Sequence, residues 1–181
     1  EGVRWSDGEK VKASDSVYSY ELASQITPTS MQAVLSKIST YQALDDQTVQ
    51  IVTLPGLVTS QYDAFFFSPL PQHVWGAFAL EELITQDSAA RTPLGWGAFR
   101  ITSWQAGENI VLEKNEYYFR SSEGYPALDR ITIEFVEGGE KLSTLFDTMG
   151  CDMVDDSLIT AAQYSEVETL KNDPAYQVQM I

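Results

Sequence analysis

The stretch from Thr92 to Phe119 constrains this chain more than any other. Pro93, Gly95 and Gly97 open it, so the backbone there bends or lies close against a neighbour. Phe99, Ile101 and Ser103 then alternate with Arg100, Thr102 and Trp104, the period of a half-buried strand. Gln105 to Glu108 supplies a turn, and Ile110, Leu112 and Lys114 alternate with Val111 and Glu113 on the way back. The pattern predicts a β-hairpin whose first residues form a Gly-Trp-Gly corner. Trp96, between the two glycines, is either packed against a neighbouring layer or exposed as a stacking platform. A dinucleotide fingerprint is excluded, because the third glycine is missing and a strand follows instead of a helix.

The chain has 181 residues, enough for one domain or two small ones with a real core. Its formal charge of −15, with only 11 lysines and arginines, argues against a nucleic-acid partner. Most of the carboxylates read as a solvated acidic surface. Cys151 is the single cysteine, so no intrachain disulfide can form. With His73 the single histidine, a structural zinc site is not expected, and neither is a cofactor. Cys151 reads as an inert buried thiol, and no local signature pairs it with His73. No apolar run approaches the ~18–20 residues that span a bilayer. Glu1 leads directly into Gly2-Val3-Arg4-Trp5, which reads as the inside of a domain, so a piece of a longer protein is expected.

Taken in order, Val3 to Trp5 reads as a short strand followed by a Ser6-Asp7-Gly8 turn. Ser14 is a candidate N-cap, and Tyr18, Leu22 and Ile26 mark one face of a helix that ends at Thr27-Pro28-Thr29. Ser39–Leu44 and Thr48–Leu54 flank Asp45-Asp46-Gln47 as a second hairpin. Phe65, Phe66 and Phe67 are expected in a core, Val74 to Leu83 as one or two short helices, and Thr85 to Thr92 as loop. His73 is expected at the surface or at a helix end. A strand is predicted over Ile131 to Phe135, broken by Gly138-Gly139. Leu142, Leu145, Phe146 and Met149 form the inner face of a helix stopped at Gly150. Cys151 to Val154 reads as a buried strand. Thr160 and Gln163 form a capping box, with Ile159 stapled to Tyr164, for a helix that ends at Asn172-Asp173-Pro174. Tyr176, Val178 and Met180 alternate as a last strand, completing a βαβαβ unit with a parallel sheet.

Asp155 and Asp156 are neighbours at the end of a predicted strand, so they point to opposite faces and do not read as an acid–base pair. Ligands of open parallel sheets sit at the carboxyl ends of strands, which makes Asp156 and Ser157 candidate polar contacts; the alternative is a solvated loop.

Four segments, in order, carry a family resemblance. They are Gly2 to Tyr20, with its Trp5-Ser6-Asp7-Gly8; Leu70-Pro71-Gln72-His73-Val74-Trp75; Thr92 to Phe119; and Leu128-Asp129-Arg130-Ile131 followed by Leu145 to Met153. Together they resemble the family 5 extracellular solute-binding proteins, receptors of peptide, nickel and oligosaccharide ABC importers. Ala98-Phe99 stands where that family usually has Pro-Tyr, Phe119 where Trp is usual, and Trp96 where a small polar residue is common.

The resemblance implies an α/β fold of the type II periplasmic-binding-protein kind, here part of lobe I: a mixed sheet with flanking helices, and β-hairpins in a peripheral subdomain. Residues 1–90 are then the peripheral subdomain and 91–181 the core subdomain, with the second lobe absent. It implies binding without catalysis: a monomeric extracytoplasmic receptor, lipid-anchored when full-length, that takes peptides in an interlobe cleft and docks on permease subunits. An oligosaccharide receptor, a sensor domain uncoupled from transport and, more distantly, a carboxylate-dependent hydrolase are the rivals. Trp96 is read as facing the cleft, with Asp156 and Ser157 as polar ligand contacts.

Overall fold

In the computed structural model, which describes residues 2–25, 29–136, 141–147, 149–161 and 163–175, the chain starts with a tight turn instead of a regular strand. Trp5 N donates to Glu9 O at 2.8 Å and Val11 N to Val3 O at 3.0 Å, leaving a single antiparallel bridge between Arg4 and Lys10. Helix α1 spans Ala13–Gln25, beginning one residue before the expected cap Ser14. The acid in its first turn explains the shift. Asp15 Oδ2 accepts the Lys12 amide at 2.9 Å, as a capping-box carboxylate does. Ile26 and the Thr27-Pro28 stop lie outside the described residues. Helix α2, Thr29–Leu35, was not expected; its apolar pattern is too short to register as a period.

Strands β1, Ile38–Ala43, and β2, Val49–Thr53, pair antiparallel with a register shift between Ile38 and Thr40. The expected turn joins them. Asp45 Oδ1 accepts the Gln47 amide at 2.8 Å and its Oδ2 the Thr48 hydroxyl at 3.0 Å. Ile38, Tyr41 and Phe65 form a buried cluster, with Phe67 packed against it. Phe66 departs from the expectation at 48% exposure. Neighbouring residues of an extended segment point apart, so the three rings cannot share one core. Tyr41 stacks on Tyr20 with centroids 4.7 Å apart, and Phe67 meets both rings edge-on.

Three one-turn helices follow: α3, Gln72–Trp75; α4, Leu80–Leu83; and α5, Asp87–Ala90. The last sits inside the stretch expected to be loop. Trp75, Phe78 and Leu80 pack against buried Tyr18, Leu22 and Leu83, so the inner face of α1 is as predicted. Strands β3, Phe99–Gln105, and β4, Asn109–Lys114, form the predicted hairpin, and β5, Arg130–Glu134, lies beside β4 in a three-stranded sheet. Two compact units result, Glu1–Ile133 and Glu134–Ile181.

In the second unit, α6, Leu142–Asp147, and α7, Tyr164–Lys171, bury Leu142, Leu145, Val167 and Leu170 together. Gly150 takes the left-handed φ of +68° expected of a helix stop, with Cys151 N donating back to Leu145 O at 3.0 Å. Met149 is 47% exposed, against its predicted inward position, because α6 ends before reaching it. Cys151 to Val154 is not a strand, since no partner edge satisfies its backbone, and β5 is the one strand of this region among the described residues. The βαβαβ unit is therefore not formed there. The Gly138-Gly139 break and the strand expected over residues 176–180 lie outside the described residues. Gln163 Oε1 accepts the Thr160 amide at 2.9 Å, but α7 starts at Tyr164 with Gln163 at the cap position, so Thr160 is not the helix cap that was expected. Ile159 packs on the apolar cluster while Tyr164 is exposed, so the staple is absent.

Glu166 of α7 caps α6 across this unit, its Oε1 accepting the Ser143 amide at 3.1 Å and hydroxyl at 3.0 Å. The Ser143 amide hydrogen bond, first among the causes, holds the Glu166 carboxyl below its usual range despite the opposing effect of burial. Glu166→Ala should cost about 1 kcal/mol, as a lost helix cap does. A carboxylate with a lowered folded-state pKa stabilises fully above its unfolded value of about 4.3 and loses that contribution as pH falls through the folded value. The difference between variant and wild type in urea unfolding should therefore shrink below about pH 4.

Candidate functional site

The Gly-Trp-Gly corner is held on both flanks. Gly95 N donates to Ser6 Oγ at 3.4 Å. Beyond Trp96, Asn115 Nδ2 donates to Gly97 O at 2.8 Å and Asn115 N to Ala98 O at 2.9 Å. Asn115 is 0% exposed, and its Oδ1 also accepts the Tyr117 amide at 3.0 Å. One buried amide at the end of β4 thus satisfies both the corner and the loop that follows it. Trp96 itself is half-buried, and its ring lies 5.1 Å from that of Trp5 at an angle of 55°. The geometry suits a tilted aromatic pair.

Trp5 is the fixed member, 1% exposed, with Nε1 donating to Asp15 Oδ2 at 3.2 Å. His73, on α3, packs its ring 6.2 Å from Trp5 and donates from Nε2 to Asp7 Oδ2 at 2.7 Å. Burial pushes the Asp7 carboxyl up, but the His73 hydrogen bond and the Glu9 amide outweigh it and hold the group below its usual range. A cavity of about 190 Å³ shares His73 and Asp15 with this cluster, and Lys12, Glu9 and Gln72 also line it. Gly8 closes the turn with φ +94°, and a Cβ there would sit 2.9 Å from the Tyr117 ring.

Asp156 and Ser157 lie in the second compact unit, in a 3-10 turn over Asp156–Leu158 and not at a strand end. Ser157 is exposed, and its amide donates to Asp155 Oδ1 at 3.0 Å. Cys151 is half-buried against the apolar cluster of that unit. Among the described residues no group of three or more His, Cys, Asp or Glu is placed to hold a metal ion. Nor is any helix of those residues long and apolar enough to cross a membrane.

Sequence reasoning missed the roles of Ser6, Asp15 and Asn115. Asp15 carried a signal, an acid three residues past Lys12, but its second partner is ten residues away and invisible to local pattern. Asn115 follows the second strand of the hairpin, and nothing in its immediate neighbours marks it as a buried partner. Only the return of the hairpin brings it against Gly97.

These elements have the fold of part of a family 5 periplasmic binding protein. The oligopeptide-binding protein AppA from Bacillus subtilis, solved in complex with a nonapeptide, matches with a TM-score of 0.73 at 21% identity, covering 94% of this chain and 33% of that one. Residues 1–181 match the bacterial extracellular solute-binding proteins, family 5 Middle, and the chain belongs to that family. It is 28% identical over 142 residues to oligopeptide-binding protein AppA of Bacillus subtilis (strain 168), covering 75% of this chain and 25% of that protein. It is 25% identical over 191 residues to oligopeptide-binding protein OppA of Lactococcus lactis subsp. lactis (strain IL1403), covering 93% and 31%. The chain thus spans a quarter to a third of the length of these relatives.

Asn115→Ala removes two partly buried hydrogen bonds, one to the Gly97 carbonyl and one from the Tyr117 amide, each contributing about 0.5–1.5 kcal/mol. Thermal unfolding should show a loss of roughly 1–3 kcal/mol; a loss under about 0.5 kcal/mol would mean the corner is held by something else. Gly8→Ala should cost at least the roughly 1–2 kcal/mol of a left-handed backbone, and more because the Tyr117 ring must move.

Proposed function

We propose that this chain is the ligand-facing part of an extracytoplasmic receptor that binds peptides and delivers them to the permease subunits of an ABC importer. The observation that carries the reading is Trp96: a half-buried indole held on a rigid corner in a chain whose relatives are named for oligopeptide binding. A side chain fixed before the ligand arrives loses little rotamer freedom on binding, and that favours affinity. Trp96 supplies an apolar wall to the peptide; separately, and with no placement of one against the other, Asp156 and Ser157 are proposed as polar ligand contacts, Ser157 on its exposed position in the turn.

The mechanism is binding without chemistry. Two lobes close around the peptide, and the closed form is selected because it binds more tightly. The receptor works as a monomer outside the cytoplasm, lipid-anchored in its full-length form. Its acidic surface keeps it in solution near anionic lipid headgroups.

An oligosaccharide ligand is the second reading, favoured by the same indole, since a sugar face stacks on an aromatic ring. Thermal shift of the full-length protein against a mixed-sequence peptide library and a set of oligosaccharides separates the two. Peptides should raise the melting temperature by mass action; a rise with sugars alone would overturn the peptide assignment. Trp96→Ala should weaken peptide affinity about tenfold, read by calorimetry on protein shown to be folded.

A further inference from the structure

The Ser6-Asp7-Gly8 turn touches three separate elements. Ser6 Oγ accepts the amide of Gly95, Asp7 holds His73 of α3, and Gly8 lies against the ring of Tyr117. The residue before this turn is Trp5, whose ring meets both His73 and Trp96. The indole of Trp5 is fixed at its N–H by Asp15, so its position is set on that edge. The adjoining turn is linked to α3, and so to the His73 ring, through one short bond, 2.7 Å between His73 Nε2 and Asp7 Oδ2. That bond joins residues 66 positions apart and lies at the surface.

We propose that Asp7 and His73 form a positioning pair that sets the orientation of Trp96 through Trp5 and the Ser6–Gly95 contact. The inference rests on Trp96 being a wall of the ligand site. Neither residue of the pair touches the ligand. The carboxylate fixes the imidazole, the imidazole packs on Trp5, and Trp5 is the surface on which Trp96 leans. The same carboxylate accepts the Glu9 amide at 3.0 Å, so the turn keeps its shape while its side chain reaches α3. Loss of the pair removes one ring neighbour of Trp5 and the side-chain link between the turn and α3, while Trp5 keeps its Asp15 and Glu9 bonds. Trp96 then samples more than one orientation, and the ligand must select one of them at a cost in affinity.

The test uses the full-length protein with His73→Ala, with Asp7→Asn, which keeps its volume, and with His73→Gln, which keeps a donor near the Nε2 position. Acrylamide quenching of tryptophan fluorescence is compared between each protein and its Trp96→Phe counterpart, which isolates the Trp96 signal. His73→Ala and Asp7→Asn should raise the quenching of Trp96, and His73→Gln should recover part of the change. Affinity for the mixed-sequence peptide library should fall roughly two- to tenfold in His73→Ala and Asp7→Asn, the scale of one aromatic contact. In a Trp96→Ala background that fall should vanish, which a merely structural role would not produce. Quenching unchanged in folded Asp7→Asn and His73→Ala overturns the positioning pair, and so does an affinity loss that persists without Trp96. A change in quenching, with Trp96→Ala binding peptides as the wild type does, supports the pair and removes the ligand-wall reading instead.

Discussion

The burial of Trp5 is the constraint on which the rest of the first unit depends. An indole this deep must find an acceptor for its N–H, and Asp15 supplies it. The same carboxylate oxygen accepts the Lys12 amide and so starts α1. The first turn and the first helix therefore fix each other, and a charge that would be costly to bury alone is solvated by two donors. His73 and Trp96 then take their places against the indole face. Neither ring has to be held by its own backbone alone.

Polar groups do similar work elsewhere in this unit. Ser16 Oγ donates to Phe67 O at 2.6 Å and accepts from Tyr41 OH, which in turn accepts the Phe67 amide at 3.0 Å. Ser19 Oγ lies 2.8 Å from Ser68 O, and Leu70 N donates to Asp15 O at 3.3 Å. Small hydroxyl side chains let the Phe67-to-Leu70 segment run close along α1, and its backbone groups are satisfied by the helix instead of by a neighbouring strand. A larger apolar residue at Ser16 or Ser19 would hold the segment off and orphan those groups. The second unit is simpler. Its two helices meet through four buried aliphatic residues, and the Glu166 cap ties the start of one to the face of the other.

A solute receptor gains from such a frame. Affinity in a cleft depends less on area than on how little must be ordered when the ligand arrives. Family membership and the named relatives place the chain among solute-binding proteins, and within it the Gly-Trp-Gly corner sets the Trp96 ring against Trp5. Its anchors are Ser6 and Asn115, so the corner is held because segments distant in sequence converge on it.

Local chemistry alone determined the two hairpins, the inner face of α1, the Gly150 stop and the reach of Gln163 to Thr160. In each the deciding interaction spans a few residues, and side-chain period or turn chemistry reports it directly. The Gly-Trp-Gly corner and its family were equally legible, since the glycines and the alternating residues after them sit in one continuous stretch. Tertiary structure decided the rest. Cys151 to Val154 has the composition of a strand, but a strand exists only where another edge accepts its hydrogen bonds. Phe66 and Met149 are apolar, yet their exposure depends on where a neighbouring element ends. Asp15, Asn115 and the Asp7–His73 bond owe their roles to partners 10, 18 and 66 positions away. No local pattern encodes such a partner, because the contact exists only once the intervening chain has folded back.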